Sequence, residues 1–204
     1  MAATARVIAA HGFAVFNVDY RLAARGPAIR RQQADLREAL RWIRANARRI
    51  GVDPRRIGAL GSSAGGHLVS LLAARGPLTE GPRVRASVTW SAPFDLNPFR
   101  AGWLGGAIET LLGCGSAECE ARRTAASPIG HVSPDDPPML IVNSSDEVIP
   151  RAQPRAMAGR LAASGIRHRL AMLDGSRHGV EYARAALPAT IAFFERTLRS
   201  RASR

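Results

Sequence analysis

The sequence predicts a single α/β domain in which a mostly parallel sheet is covered by helices on both faces. Short apolar runs alternate along the chain with longer segments whose apolar residues recur at helical spacing. The runs are continuously apolar, which is typical of strands buried on both faces. One run leads through a glycine-rich turn into a helical segment, as a strand–turn–helix unit does. The length of 204 residues suits one domain, at 1–204, and no internal repeat is visible.

The predicted elements follow this alternation. The strands cover residues 13–20, 84–90, 138–142 and 168–173, and a further strand runs from residue 56 into the glycine-rich turn. The helices cover residues 1–10, 29–50, 64–74, 153–164 and 188–199. Gly12 and Gly51 end the first two helices, and Pro188 is suited to open the last one. Residues 76–82 form a turn-rich link. Residues 94–133, rich in glycine and alanine, are expected to be irregular and to cap the site.

The glycine-rich turn has the Gly-x-Ser-x-Gly pattern of a nucleophile elbow, as Gly61-Ser62-Ser63-Ala64-Gly65. In such a turn the central serine lies at the apex between a strand and a helix, so Ser63 is the predicted nucleophile. Side chains at Gly61 and Gly65 are expected to collide with the neighbouring strand and helix. The N–H of Ala64, at the start of the helix, is predicted to stabilise a developing oxyanion.

Two further residues follow predicted strands and complete a catalytic set. Asp146 comes after the strand at 138–142, and His178 after the strand at 168–173. Active residues of parallel α/β sheets gather beyond the carboxyl ends of the strands. His178 would take the proton of Ser63, and Asp146 would orient and stabilise the imidazole. Asp95, which also follows a strand, is the alternative acid.

The net charge of +13 raises the question of nucleic-acid binding. All 29 basic residues are arginines, and they are scattered over the chain without forming a stripe with interleaved aromatic residues. This pattern favours a compositional bias over a nucleic-acid site. No apolar run approaches the roughly 20 residues that cross a bilayer, and no signal peptide is visible.

The two cysteines leave two interpretations open. Cys114 and Cys119 are either free thiols or a small disulfide that would indicate an oxidising compartment. They lack the further ligands that a metal site needs. The sequence predicts no metal or cofactor, and it leaves the compartment open, with the cytoplasm as the default.

The chain resembles the α/β-hydrolase superfamily, and within it the esterase/lipase group related to hormone-sensitive lipase and bacterial carboxylesterases. The matching motifs span almost the whole chain: Asn17-Val18-Asp19-Tyr20-Arg21-Leu22-Ala23, Ser63-Ala64-Gly65-Gly66-His67-Leu68, Ala126-Ser127-Pro128, Asp136-Pro137-Pro138 and Asp146-Glu147-Val148-Ile149-Pro150. The resemblance implies a triad of Ser63, Asp146 and His178, as inferred above from the residues.

The sequence departs from this group at two places. Asn143 stands where the group usually has a glycine in the acid loop. The group also carries a His-Gly-Gly-Gly type motif before the Asp-Tyr-Arg-Leu strand, and the chain starts in the helix that follows that motif. The resemblance therefore implies a truncated domain that lacks the first three strands, with the full-length form beginning upstream.

The expected function is that of a serine carboxylic-ester hydrolase that acts on a small acyl ester through an acyl-enzyme. Two alternatives stay open. In the first, the chain is a non-catalytic remnant that keeps the triad residues. In the second, it hydrolyses amides or peptides on the same scaffold. The acyl and alcohol specificity and the oligomeric state are not predicted.

Overall fold

The computed structural model describes residues 1–23, 26–74, 83–115 and 119–199, so the predicted link at 76–82 lies outside the described residues. Four parallel strands form one sheet in the order β1-β2-β3-β4. They are β1 (Gly58–Ser62), β2 (Ala86–Trp90), β3 (Met139–Ser144) and β4 (His168–Leu173). The predicted α/β fold with a parallel sheet is confirmed.

Eight helices accompany these strands in the described ranges. They are α1 (Ala2–Ala10), α2 (Ile29–Ala45), α3 (Ala47–Ile50), α4 (Ala64–Ala73), α5 (Gly102–Leu112), α6 (Cys119–Ala126), α7 (Ala152–Ala163) and α8 (Ala183–Leu198). The helix predicted over 29–50 divides into α2 and α3 at Asn46. The Asn46 backbone N–H and side-chain Nδ2 both donate to the Trp42 carbonyl, at 3.0 and 2.8 Å. The side-chain bond competes with the backbone for this carbonyl at the point where α2 ends.

The two faces of the sheet bury different sets of side chains. Alternate residues of β3 point to opposite faces: Met139 and Ile141 pack towards α2, α4 and α7, whereas Leu140 and Val142 pack towards α8. All residues of β2 and β3 are buried. These two central strands are therefore covered on both faces, as their continuous apolar sequence predicts.

The strand predicted over residues 13–20 is wrong. Within the described ranges this segment has no strand pairing, and Val15 and Phe16 are 37% and 40% exposed. A cavity of about 780 Å³ is lined both by this segment and by β1. Because a strand is stabilised by hydrogen bonds to a neighbouring strand, an apolar run separated from the sheet edge cannot form one.

The described part of residues 94–133 is largely helical, which corrects the prediction of an irregular segment. They form α5, α6 and a short 3₁₀ turn at Pro128–His131. Glycines weaken α5, but Ile108 and Leu112 are buried in a cluster shared with α2, α4 and α6. The buried Arg123 guanidinium also lies 3.0 Å from a Glu109 carboxylate oxygen, joining α6 to α5. Tertiary packing thus outweighs the low local helix propensity.

The start predicted for the last helix is also wrong. α8 begins at Ala183, and Pro188 lies inside it. A proline there removes one hydrogen bond of the helix. The helix continues because its buried face, which includes Ala186, Phe193 and Phe194, packs against the sheet.

Of the two interpretations of the cysteines, the structure has the disulfide: Cys114 and Cys119 are bonded to each other. None of the helices in the described ranges has the length and apolar character needed to cross a membrane.

Candidate active site

The turn after β1 has the strained backbone of a nucleophile elbow. Ser63 has φ 53° and ψ −121°, in a region that side-chain-bearing residues rarely adopt. Its N–H donates to the Trp90 carbonyl on β2 at 2.7 Å, which fixes the turn to the sheet. A Cβ added at Gly61 would lie 2.1 Å from the Gly65 carbonyl oxygen. The predicted need for glycine at position 61 is confirmed.

The corresponding prediction for Gly65 is wrong. A Cβ at Gly65 would meet nothing nearer than the Tyr20 hydroxyl oxygen, at 3.9 Å. The restricted position is the next one, because a Cβ at Gly66 would lie 2.8 Å from the Cβ of Ala92. Close packing of α4 on β2 therefore requires a small residue at 66 instead of 65.

Ala64 is the first residue of α4 and is exposed, directly after Ser63. The first N–H groups of a helix have no carbonyl partner within the helix and carry its positive dipole end. The start of α4 therefore carries a positive partial charge directly beside Ser63.

His178 lies in the loop after β4, at the same edge of the sheet. Its N–H donates to a Glu181 carboxylate oxygen at 2.8 Å, and its side chain is 30% exposed. The following Gly179 has φ 57°, and a Cβ there would lie 2.3 Å from the Ser62 hydroxyl oxygen. The histidine loop thus packs directly on the elbow.

The carboxylate that binds the His178 imidazole is that of Glu147, the residue after the predicted acid Asp146. Glu147 Oε2 accepts from His178 Nδ1, and the Glu147 side chain is fully buried. Asp146 is exposed, and its backbone N–H donates to the Gly175 carbonyl at 3.0 Å. The structure therefore brings His178 together with the predicted acid loop, but through Glu147. Asp95, the alternative acid, instead accepts hydrogen bonds from Asn97.

A buried hydrogen-bond network holds the other oxygen of this carboxylate. Glu147 Oε1 accepts from Ser91 Oγ at 2.6 Å and from the Ser144 N–H at 3.0 Å. Ser91 Oγ also accepts from the Gly179 N–H at 2.8 Å and lies 2.8 Å from the Tyr182 hydroxyl. Burial raises the pKa of Tyr182, and the nearby Glu147 charge adds to this rise.

The nucleophile and the base are not joined in this structure. Within the described residues, no hydrogen bond links Ser63 to His178. With Nδ1 bound to an acceptor, the proton of a neutral imidazole is held on Nδ1, and Nε2 keeps its lone pair. Such a histidine can accept a proton from a nearby hydroxyl, and the hydrogen bond that this needs is often long before substrate binds.

Sequence reasoning missed Glu147, Ser91 and Tyr182. Glu147 adjoins the predicted acid, so position alone could have suggested it as an alternative. Ser91 follows β2 at the same sheet edge as the other three site segments. Its φ of 50°, which marks it as unusual, has no sequence signature. Tyr182 gives no signal in the sequence that distinguishes it from a core aromatic residue.

The BD-FAE family model matches residues 1–161, which include the elbow and the acid loop. The chain belongs to the BD-FAE family. The resemblance to α/β-hydrolases of the esterase/lipase group is thereby confirmed.

Known relatives of this BD-FAE chain include Esterase LipC of Mycobacterium tuberculosis. LipC is 33% identical over 199 residues, a match that covers 84% of this chain and 49% of LipC. The chain thus spans about half the length of this curated relative.

Two solved structures show a similar fold. An acetyl ester-xyloside bifunctional hydrolase from Caldicellulosiruptor lactoaceticus has a TM-score of 0.80 at 25% identity, over 95% of this chain and 75% of that one. Esterase 2 of Thermogutta terrifontis, in its apo form, has a TM-score of 0.73 at 26% identity, over 90% of this chain and 72% of that one.

Proposed function

We propose that this BD-FAE chain carries the catalytic centre of a serine carboxylic-ester hydrolase that acts on a small acyl ester. The observation that carries the proposal is the backbone of Ser63, held in a strained elbow at the head of α4. Strain of this kind persists where the surrounding structure requires it, and it aims the serine hydroxyl out of the sheet. Two of the similar proteins are named as esterases, and these names support ester hydrolysis as the reaction class.

In the proposed reaction, Ser63 Oγ attacks the ester carbonyl while His178 Nε2 takes its proton. The new oxyanion is stabilised by the Ala64 N–H. The intermediate then expels the alcohol, which receives the proton from His178, and the acyl group stays on Ser63. Water attacks this acyl-enzyme with His178 as the base, releasing the carboxylic acid and restoring Ser63.

A carboxylate from the acid loop completes the set by holding the imidazole. The sequence predicts Asp146 for this role, and the Nδ1 contact of His178 supports Glu147. Ester hydrolysis needs one of these two carboxylates, Asp146 or Glu147, to orient His178. The proposed reaction is the same with either.

Hydrolysis of p-nitrophenyl acetate by the purified chain and by Ser63→Ala tests the reaction. Removal of a catalytic serine lowers kcat by up to about 10⁶, so turnover should vanish in the variant. Equal rates in both proteins would overturn the proposal. A p-nitroanilide of the same acyl group, assayed in parallel, separates ester from amide hydrolysis.

A further inference from the structure

We infer that Glu147, and not Asp146, is the carboxylate that positions His178, and that Ser91 fixes Glu147 for this role. The inference rests on the proposed function and assigns one of its parts. It starts from the direct contact between Glu147 Oε2 and His178 Nδ1.

The acid loop turns so that these two adjacent carboxylates point in different directions. The Ser144 N–H, at the end of β3, donates back to Glu147 Oε1 at 3.0 Å. Asn143 Nδ2 donates to the Ile149 carbonyl at 3.1 Å and closes the loop from the other side. Glu147 is thereby directed into the protein, while Asp146 is left exposed.

The buried charge of Glu147 is compensated by three donors. Two of them, Ser91 Oγ and the Ser144 N–H, bind Oε1, and His178 Nδ1 binds Oε2. A fully buried carboxylate is costly unless its oxygens are paired in this way. With Oε1 already occupied, Oε2 is directed at the imidazole and at no competing partner among the described residues.

Ser91 connects the Glu147 carboxylate to the loop that carries His178. Its hydroxyl donates to Glu147 at 2.6 Å and accepts the N–H of Gly179, the residue after His178, at 2.8 Å. Ser91 is itself fully buried and has φ 50°, a strained conformation at the end of β2. One side chain thus sets the distance between the acid and the backbone that carries the base.

Glu147→Gln and Asp146→Asn test the inference, because each removes one charge from neighbouring positions without changing side-chain size. Loss of the orienting carboxylate of a serine triad lowers kcat by about 10⁴. We expect Glu147→Gln to lower kcat by roughly 10³–10⁴ with KM little changed, and Asp146→Asn to lower it less than about tenfold. Ser91→Ala should give a smaller loss than Glu147→Gln.

A second readout separates positioning from folding. The proton on His178 Nδ1 should give a slowly exchanging, downfield NMR signal in the wild-type chain and in Asp146→Asn, but not in Glu147→Gln. Circular dichroism and thermal melting establish that each variant is folded, and Glu147→Asp, which keeps the charge, should recover part of the lost kcat.

The outcomes distinguish this inference from the proposed function. If Ser63 is required for turnover and Asp146→Asn is the more damaging variant, the inference is overturned and the function stands. Equal effects of the two variants overturn it as well. A wild-type chain without Ser63-dependent turnover overturns both.

Discussion

Gly179 lies against Ser62 so closely that a methyl group on its α-carbon would come within 2.3 Å of the Ser62 hydroxyl oxygen. This contact joins the two loops that the proposed reaction must bring together, because Ser62 precedes the nucleophile and Gly179 follows the base. Gly179 also needs its freedom of backbone conformation, since its φ is 57°.

Replacing Gly179 by alanine should therefore displace the Ser62 hydroxyl or the histidine loop, because the two cannot both keep their positions. We expect a large loss of ester hydrolysis, together with backbone strain of about 1–2 kcal/mol in the free energy of unfolding. Gly165→Ala is the matched control, because Gly165 has φ 70° and nothing within 4 Å of an added Cβ. That variant should share the strain and keep the activity. Equal activity in the two variants would contradict the proposed contact.

The elbow itself gives a second prediction. Gly61→Ala places a methyl group 2.1 Å from the Gly65 carbonyl oxygen, which is backbone and cannot turn away. We expect destabilisation by about 3 kcal/mol, at the upper end for overpacking. Gly65→Ala, with 3.9 Å to the nearest atom, should change the free energy of unfolding by less than about 1 kcal/mol. Urea denaturation measures both, and similar losses would show that the elbow is not as tightly closed as described.

His67 makes the stability of the domain depend on pH. It is buried in α4, its Nε2 lies 2.8 Å from the Ala126 carbonyl oxygen, and burial lowers its pKa to about 4. Below its ordinary pKa of 6.5 the unfolded chain binds a proton that the native chain does not. The free energy of unfolding should therefore fall as the pH is lowered from 6.5 towards 4, by up to about 3 kcal/mol.

His67→Gln provides the control for this prediction, because its amide can still donate to the Ala126 carbonyl but does not titrate. Urea denaturation near pH 7 and near pH 5 should show a smaller pH dependence in the variant than in the wild-type chain. The same dependence in both would mean that other groups cause it.

Local patterns allowed the elbow to be predicted from sequence, because the glycines and the serine that form it are consecutive. A local pattern could not decide whether residues 13–20 form a strand, since a strand also needs a neighbouring strand to pair with at the β1 edge of the sheet. Glu147 illustrates a third limit. Whether it or Asp146 points inward is decided by Ser144 and by Ser91, and Ser91 is distant along the chain.

The helices α5 and α6 show the same limit in the core. The glycines of α5 lower its helix propensity, whereas the alanines and arginines of α6 favour a helix, so the prediction of an irregular segment gives the glycines too much weight. Burial of Ile108 and Leu112 beside α4, and the ion pair of Arg123 with Glu109, stabilise them in the folded chain. Such contacts form between segments, and no single segment specifies them.

Labelling with a fluorophosphonate probe shows whether Ser63 is an activated nucleophile, as the proposed reaction requires. The purified wild-type chain, incubated with the probe and read by intact mass, should gain a single adduct that peptide mapping assigns to Ser63. Ser63→Ala, shown to be folded by circular dichroism, should gain none. An unlabelled but folded wild-type chain, or equal labelling of both proteins, would contradict the proposed role of Ser63.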